Sequence, residues 1–157
     1  MRIRTADLKD INDLKILYVN TILAVNSRDY NSEQISAWAS TSENIDSLKK
    51  RITGQYFIVA ENDEGIITGF ASLDTKSGYL DLLYVHKDFQ RTGVATLMLH
   101  NLLRMADEMN ISEINTDASI TIRPFFKKNG FRVLNEQTVN IKGVEMRNFR
   151  MQKNILY

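Results

Sequence analysis

One segment of the sequence combines residue types that suit the binding of an anion. It reads Gln90-Arg91-Thr92-Gly93-Val94-Ala95-Thr96 and lies between a predicted strand and a predicted helix. The first backbone N–H groups of a helix have no partner within the helix and lie at the positive end of its dipole. Gly93 permits an unusual φ, and Arg91 supplies a charge that suits a pyrophosphate. The segment therefore predicts a phosphate-binding loop, although an ordinary helix start would use the same residues.

Several other chemistries are excluded by composition. The loop lacks the Lys-Ser/Thr ending of a P-loop and the three glycines of a dinucleotide fold. The 157 residues carry 20 Lys+Arg and 19 Asp+Glu, and a net charge of +1 gives no overall field for nucleic acid or an anionic membrane. Because the sequence has no Cys, it offers no disulfide, thiolate site or cysteine nucleophile. His86 and His100 alone make a poor metal site, so we predict no metal.

The composition of the sequence is typical of a single domain. Its N-terminal residues include no apolar signal segment, and no stretch approaches the roughly 18 apolar residues of a spanning helix. We therefore expect a cytoplasmic protein with no membrane partner. No repeat, low-complexity tract or linker breaks the composition, so residues 1–157 are predicted to form a single domain.

Hydrophobic periodicity predicts the elements that must hold the loop in place. The first third is expected to be mostly helical, and the pattern then changes to strands joined by turns. The predicted helices are Ile11–Val25, Asn31–Trp38, Ile45–Ile52, Val94–Met109 and Ile122–Lys128, and the predicted strands are Tyr56–Ala60, Ile66–Leu73, Tyr79–Val85, Ile114–Ala118, Arg132–Ile141 and Val144–Lys153.

The loop lies inside a strand-helix-strand unit, which runs from Tyr79–Val85 through the helix after Gly93 to Ile114–Ala118. Such a unit requires parallel strands joined by a right-handed crossover. The remaining strands follow one another through short turns and are expected to be antiparallel. The sequence thus predicts the α/β class, with a mixed, mainly antiparallel sheet of about six or seven strands flanked by helices.

Two motifs in this order resemble those of a known family. Gln90-x-x-Gly93-x-Ala95 follows the strand end Leu83-Tyr84-Val85-His86, and Phe125-Phe126-Lys127-Lys128-Asn129-Gly130-Phe131 follows downstream. They are similar to the two signatures of the GNAT superfamily of acetyl-CoA-dependent N-acetyltransferases. The resemblance covers roughly residues 2–153 and is detailed from Tyr79 to Phe131. Tyr30-x-x-x-Gln34-Ile35-x-x-Trp38 further resembles a bacterial subgroup of small acetyltransferases, from which no substrate is carried over.

The resemblance implies an acetyl-CoA site. The pyrophosphate of coenzyme A would lie on the N–H groups of Arg91, Thr92, Gly93, Val94, Ala95 and Thr96, with Gln90 at the loop entrance. The pantetheine arm would pair with the backbones of Leu83 and Val85. Ser119 and Phe126 would also belong to the cofactor site, with Phe126 beside the acyl or pantetheine chain, and Lys128 would meet the 3′-phosphate. Core packing is the alternative for Phe126, and a solvated surface charge is the alternative for Lys128.

The implied reaction is direct attack of a neutral amine on the thioester, with no covalent enzyme intermediate. Asp81 lies in an otherwise apolar strand, on the face of Leu83 and Val85 by alternation, and is the candidate base; a hydrogen-bonded strand carboxylate is its alternative. Many family members carry Tyr where this chain has Phe126, and that hydroxyl protonates the leaving thiolate. Tyr84, Tyr30, Ser119 or water would have to serve here. By alternation Tyr84 faces away from Asp81 unless a bulge intervenes.

The acceptor is left open by the sequence. Tyr30 and Trp38 are predicted to contribute to its side of the site, although aromatic walls can also be plain packing. A small-molecule amine and a protein amine both remain candidates, and a homodimer is in keeping with the family. Phe126 in place of Tyr motivates the alternative of a catalytically weak acyl-CoA-binding or sensing module. A nucleic-acid adaptor has only surface Lys and Arg in its favour.

Overall fold

One mixed sheet runs through the part of the chain that the computed structural model describes, residues 1–155. Leu156 and Tyr157, the last residues of the domain predicted over 1–157, lie outside the described residues. Within that range the sheet has seven strands in the order β1-β2-β3-β4-β5-β7-β6. The strands are β1 (Arg2–Thr5), β2 (Tyr56–Glu61), β3 (Ile67–Asp74), β4 (Tyr79–Val85), β5 (Glu113–Ser119), β6 (Arg132–Ile141) and β7 (Val144–Asn154).

Helices cover both faces of this sheet. They are α1 (Ile11–Ala24), α2 (Ser32–Ser40), α3 (Ile45–Gly54), α4 (Val94–Glu108) and α5 (Arg123–Lys128). The predicted capping box forms at the start of α2, where the Asn31 side chain accepts from the Gln34 backbone N–H and the Gln34 side chain accepts from the Asn31 backbone N–H. Helices α4 and α5 pack on one face, and α1 and α3 pack on the other.

The predicted α/β class and sheet are confirmed. Strands β4 and β5 are parallel, as the strand-helix-strand unit requires, and the other neighbouring strands are antiparallel. The element that the sequence did not predict is β1, whose four residues include only Ile3 as a large apolar side chain. It forms by pairing with β2, a contact that local periodicity does not reveal.

The start of α4 is seated closely on the sheet at Gly69 of β3. A Cβ at this position would lie 2.8 Å from Cε of Met98 and 2.8 Å from Cγ1 of Val94. Only a glycine allows the first turns of α4 to approach the strand so closely. Because the predicted phosphate loop leads directly into this turn, Gly69 fixes the position of the loop relative to the sheet.

A β-bulge in β4 changes which side chains share a face. The register shifts from Ser72↔Leu82 to Leu73↔Leu80, so Asp81 is the extra residue. Leu83 and Val85 face α4, whereas Tyr84 packs on the opposite face. Asp81 is hydrogen-bonded to α3 and therefore lies on the face of Tyr84. The predicted alignment of Asp81 with Leu83 and Val85 is thus wrong, because strict alternation does not survive a bulge.

Candidate active site

A cavity of about 680 Å³ lies where β4 and β5 part. The two strands pair only at Tyr79↔Asn115 and Leu80↔Thr116 and then diverge. The wall of the cavity includes the rest of β4, the loop before α4, the end of β5 and part of β7. The divergence of the parallel strands therefore creates this cavity.

Backbone groups of β4 point into this opening. The backbone N–H of His86 donates to the carbonyl of Thr68 over 2.8 Å, which continues the antiparallel ladder of β3 and β4. Because ladder bonds alternate along such a pair, the backbone groups of Leu83 and Val85 point away from β3. They face the opening, where β5 has already diverged. The carbonyl of Val85 is occupied, because it accepts from Oγ1 of Thr21 and Nε2 of Gln90, each at 2.8 Å.

The loop before α4 has the geometry of an anion site. Gly93 is the N-cap residue with φ 91°, in the left-handed region, and no side chain caps the helix. The first N–H groups of α4 are therefore without a side-chain partner in the described structure. Arg91 is also left-handed, with φ 59°, and the Thr92 hydroxyl donates to the carbonyl of Phe89 over 2.6 Å. Gln90 ties the loop to the end of β4 through its bond to Val85.

All seven predicted loop residues except Thr92 lie in the cavity wall, namely Gln90, Arg91, Gly93, Val94, Ala95 and Thr96. Thr92 is exposed at the outside of the loop. Arg28, in the short turn after α1, also lines the cavity. Its contribution was missed because the turn reaches the site only through the packing of α1 on the sheet.

Asp81 is held by two donors on one oxygen. Nε of Arg51 and Nε2 of Gln55 donate to Oδ2 over 2.7 and 2.9 Å. Arg51 is itself fixed by a bond from Nη1 to Oγ of Ser47, at 3.0 Å. Within residues 1–155, Oδ1 of Asp81 makes no hydrogen bond, and the residue lines the cavity. No local sequence pattern indicates Arg51 and Gln55, which meet Asp81 only because α3 packs beside β4.

Tyr84 lies on the same face as Asp81 and also lines the cavity. Its ring centroid is 4.9 Å from that of Tyr18 and 5.4 Å from that of Phe70. Burial among these rings raises the pKa of the Tyr84 phenol well above its usual value. The hydroxyl therefore stays protonated at neutral pH. The bulge at Asp81 is what allows the two predicted catalytic side chains to share one face.

Tyr30 and Trp38 come together at the other end of the cavity. Their rings meet edge to face with centroids 5.6 Å apart, and both residues line the cavity. The Tyr30 hydroxyl donates to the carbonyl of Arg147 over 2.7 Å and accepts from the N–H of Ile120 over 3.0 Å. It therefore joins β7 to the segment after β5. With both of these contacts made to backbone, its hydroxyl is poorly placed to act as a proton donor.

The last three predicted cofactor residues lie in different settings. Ser119 lines the cavity at the end of β5, and its Oγ accepts from the N–H of Ile122 over 3.3 Å. Phe126 is 2% exposed, belongs to the core beside Phe131 and also lines the cavity. Lys128 is exposed at the end of α5 and is not part of the cavity wall in the described residues.

A second carboxylate in the cavity wall, Asp117, was not predicted from the sequence. Its Oδ1 accepts from Nε2 of Gln137 over 2.6 Å and forms an ion pair with Nε of Arg150 at 3.0 Å. Its Oδ2 accepts from the hydroxyl of Tyr79 over 2.7 Å. Both oxygens of Asp117 therefore have partners on other strands, whereas only Oδ2 of Asp81 has partners.

The described residues hold neither a metal-binding cluster nor a membrane-spanning helix. In residues 1–155 there is no group of three or more His, Cys, Asp or Glu that could hold a metal ion. Over the same range no helix has the length and apolar character needed to cross a membrane.

The fold and this site define an acetyltransferase. Residues 26–153 match the sequence profile of the family described as Acetyltransferase (GNAT) domain. The chain therefore belongs to the GNAT N-acetyltransferases, and the resemblance drawn from its motifs is confirmed.

Individual relatives support this assignment. The chain is 31% identical over 152 residues to an uncharacterized N-acetyltransferase, YafP, of Escherichia coli strain K12, covering 97% of this chain and 95% of that protein. It is similar to the crystal structure of a GCN5-related N-acetyltransferase from Rhodopseudomonas palustris, with a TM-score of 0.92, 30% identity and coverage of 98% and 94%. The PaiA N-acetyltransferase of Thermoplasma acidophilum, solved in complex with coenzyme A, shares the fold, with a TM-score of 0.80, 20% identity and 98% coverage of each chain.

Proposed function

We propose that this chain transfers an acetyl group from acetyl-CoA to a primary amine by direct attack within a ternary complex. The observation that carries the proposal is the opening between β4 and β5, which joins the uncapped start of α4 to the carboxylate of Asp81. One end of the opening suits a phosphate group, and the other offers a base to an amine. A thioester that spans both ends would present its acetyl group between them.

The donor would be bound mainly by main-chain groups. The pyrophosphate of coenzyme A would be held by the N–H groups that follow Gly93, with Arg91 adding charge. The pantetheine arm would lie along β4 and bond the free backbone groups of Leu83 and the N–H of Val85. The coenzyme A complex of the PaiA relative supports this choice of ligand. Ser119 and Phe126 would line the path of the arm.

The chemistry of the transfer follows from these groups. The amine nitrogen attacks the thioester carbonyl, and the negative charge that develops on its oxygen is stabilised by a β4 backbone N–H, of Leu83 or Val85. Oδ1 of Asp81 takes the proton that the amine must lose, directly or through one water. The carbon–sulfur bond then breaks, and the sulfur leaves with the electron pair as the coenzyme A thiolate. No covalent bond to the protein is needed.

Tyr84 is the proposed proton donor to the thiolate. Its phenol stays protonated because burial raises its pKa, and it shares the face of Asp81. Tyr30 is a weaker candidate because its hydroxyl is bonded to two backbone groups. Ser119 and water are the remaining donors, and a thiolate is also a tolerable leaving group without a proton.

The test is acetyl transfer by the Asp81→Asn variant. Released coenzyme A is measured with a thiol reagent, which reports only the coenzyme because the protein has no Cys. We expect kcat to fall by roughly 10²-fold or more, while the affinity for coenzyme A in calorimetry stays unchanged. Asp74→Asn is the matched control, because it removes the same charge from the end of β3, outside the cavity wall. Normal turnover by Asp81→Asn would remove the proposed base.

Acyl-CoA binding without efficient turnover is the second candidate function. It is favoured by Phe126, a buried ring without a hydroxyl at the position where many family members carry Tyr. Tight coenzyme binding by the wild type, with no transfer to any amine tested, would support this candidate instead. The cytoplasmic location and a homodimer stay predictions from the sequence.

A further inference from the structure

We infer that the acceptor is a small free amine with an apolar body and no second ammonium group. This inference rests on the function proposed above and concerns the end of the cavity that faces α2.

The walls of this end are mostly apolar. Trp38 and Tyr30 form one side, with their rings in edge-to-face contact. Val139 and Ile141 of β6 and Met146 of β7 form the other side. Val139 is paired with Met146 in the hairpin register, and Ile141 lies two residues further along the same face. The body of the acceptor would therefore contact aromatic and aliphatic carbon.

Hydrogen bonds hold helix α2 against the β6–β7 hairpin at this end of the cavity, which we call the acceptor chamber. The Tyr30 hydroxyl donates to the carbonyl of Arg147 over 2.7 Å, and Nε2 of Gln34 donates to the carbonyl of Glu145 over 3.0 Å. Nζ of Lys142 donates to the carbonyl of Ser40 over 3.2 Å. These three bonds join the helix and the turn before it to the β6–β7 hairpin. An extended peptide lying across the chamber would have to break them, whereas a small amine would not.

The carboxylates of the chamber are already neutralised. Asp81 pairs with Arg51 at 2.7 Å, and Asp117 pairs with Arg150 at 3.0 Å. These are the carboxylates in the wall of the cavity as described for residues 1–155. After the reacting amine has given its proton to Asp81, a second ammonium on the acceptor would find no free counter-charge. Burial of a charge without a partner is unfavourable, so diamines should be poor acceptors.

Two neutral polar atoms of the cavity wall remain available, Oδ1 of Asn148 and Oγ1 of Thr121. Oδ1 of Asn148 is buried in the cavity wall and makes no hydrogen bond with the described residues. It lies on β7 opposite Ser119 of β5. An uncharged carbonyl oxygen in this place can accept one N–H from the acceptor amine.

The test compares pentylamine with cadaverine, which carries a second ammonium on a chain of the same length. We expect kcat/KM for pentylamine to exceed that for cadaverine by roughly tenfold or more. Binding is followed separately through the fluorescence of Trp38, the single Trp of the sequence, in the presence of coenzyme A, where no transfer takes place. Pentylamine should change this fluorescence at lower concentration than cadaverine does.

The Arg150→Met variant tests the charge argument directly. It leaves Asp117 without its cation, so the preference for pentylamine should fall by roughly tenfold as cadaverine improves. Arg132→Met is the matched control, because Arg132 contacts Gln152 on an exposed part of the same sheet and lies outside the cavity wall. That control should keep the wild-type preference. The wild-type comparison decides the inference even if Arg150→Met does not fold.

The outcomes separate this inference from the proposed function. Equal or better transfer to cadaverine or to a lysine-containing peptide would overturn the inference and leave the proposed function in place. An unchanged preference in a folded Arg150→Met variant would also overturn it. Tight binding of acetyl-CoA with transfer to no amine of any class would overturn the proposed function, and the inference with it.

Discussion

Replacing Gly93 by Glu tests the phosphate loop with an internal control. Gly93 is exposed, has φ 91°, and an added Cβ would meet nothing within 4 Å. Gly65, in the turn between β2 and β3, is likewise exposed, has φ 79° and meets nothing within 4 Å. Gly65→Glu therefore introduces the same charge and the same backbone strain at a distance from the loop.

The two variants should lose similar stability. A non-glycine residue in the left-handed region costs about 1–2 kcal/mol, so each variant should unfold only a few degrees below the wild type. Their affinities for coenzyme A should differ. Two like charges about 4 Å apart repel by about 1 kcal/mol in water and by about 4 kcal/mol at an effective dielectric constant near 20. Gly93→Glu should therefore weaken binding by between roughly fivefold and 10³-fold.

The assay is calorimetric titration of each purified variant with coenzyme A, after thermal unfolding has shown that both are folded. We expect wild-type affinity for Gly65→Glu and the calculated loss for Gly93→Glu. If Gly93→Glu bound coenzyme A as tightly as the wild type, the pyrophosphate would not lie on this loop. An equal loss in both variants would trace the effect to backbone strain.

Substitutions at three further residues test the proposed catalytic roles and the packing of the core. Arg51→Gln should lower kcat by roughly 10-fold to 10²-fold with unchanged coenzyme affinity, because Asp81 loses the ion pair that positions it. Arg51→Lys should restore part of the rate. Full activity in Arg51→Gln would show that Asp81 does not need this ion pair. Because burial raises the pKa of Tyr84, its phenol remains the proton donor from about pH 7 to 9, so Tyr84→Phe should lower kcat by a similar factor across that range. A loss confined to one end of the range would contradict this role. Phe126→Ala should reduce the free energy of unfolding by about 3–5 kcal/mol in urea titration, since the ring is 2% exposed; a loss below about 1 kcal/mol would show that the ring serves the cavity alone.

Local patterns were enough to predict the loop and most of the elements. A glycine at a helix start indicates a need for backbone freedom, and Gly93 has a φ of 91° in the left-handed region. Periodicity found the later strands because each alternates over several residues, whereas β1 is four residues long and depends on its pairing with β2. What periodicity detects is a property of one segment, so it misses elements that exist only through a partner.

The face of β4 that carries Asp81 and Tyr84 gives a second example of what periodicity misses. Alternation placed Asp81 with Leu83, but the bulge opposite Leu73 turned it to the face of Tyr84. A bulge is set by the registration of two strands and leaves no mark in the sequence of one. The hydrogen bonds that Arg51 and Gln55 donate to Asp81 depend in turn on where α3 packs. The candidate base was therefore predictable by its residue type, and its partners were not.

Direct transfer from acetyl-CoA to the amine is best tested by following the acetyl group in one reaction mixture. The protein is incubated with acetyl-CoA alone, examined by intact-protein mass spectrometry, and then given pentylamine while the released thiol and the N-acetyl product are counted. Direct transfer predicts no acetylated protein before the amine is added and one N-acetylamine for each coenzyme A released afterwards. An acetylated protein that passes its acetyl group to the amine would contradict direct attack. Thiol release without an acetylated amine would contradict transfer to an amine.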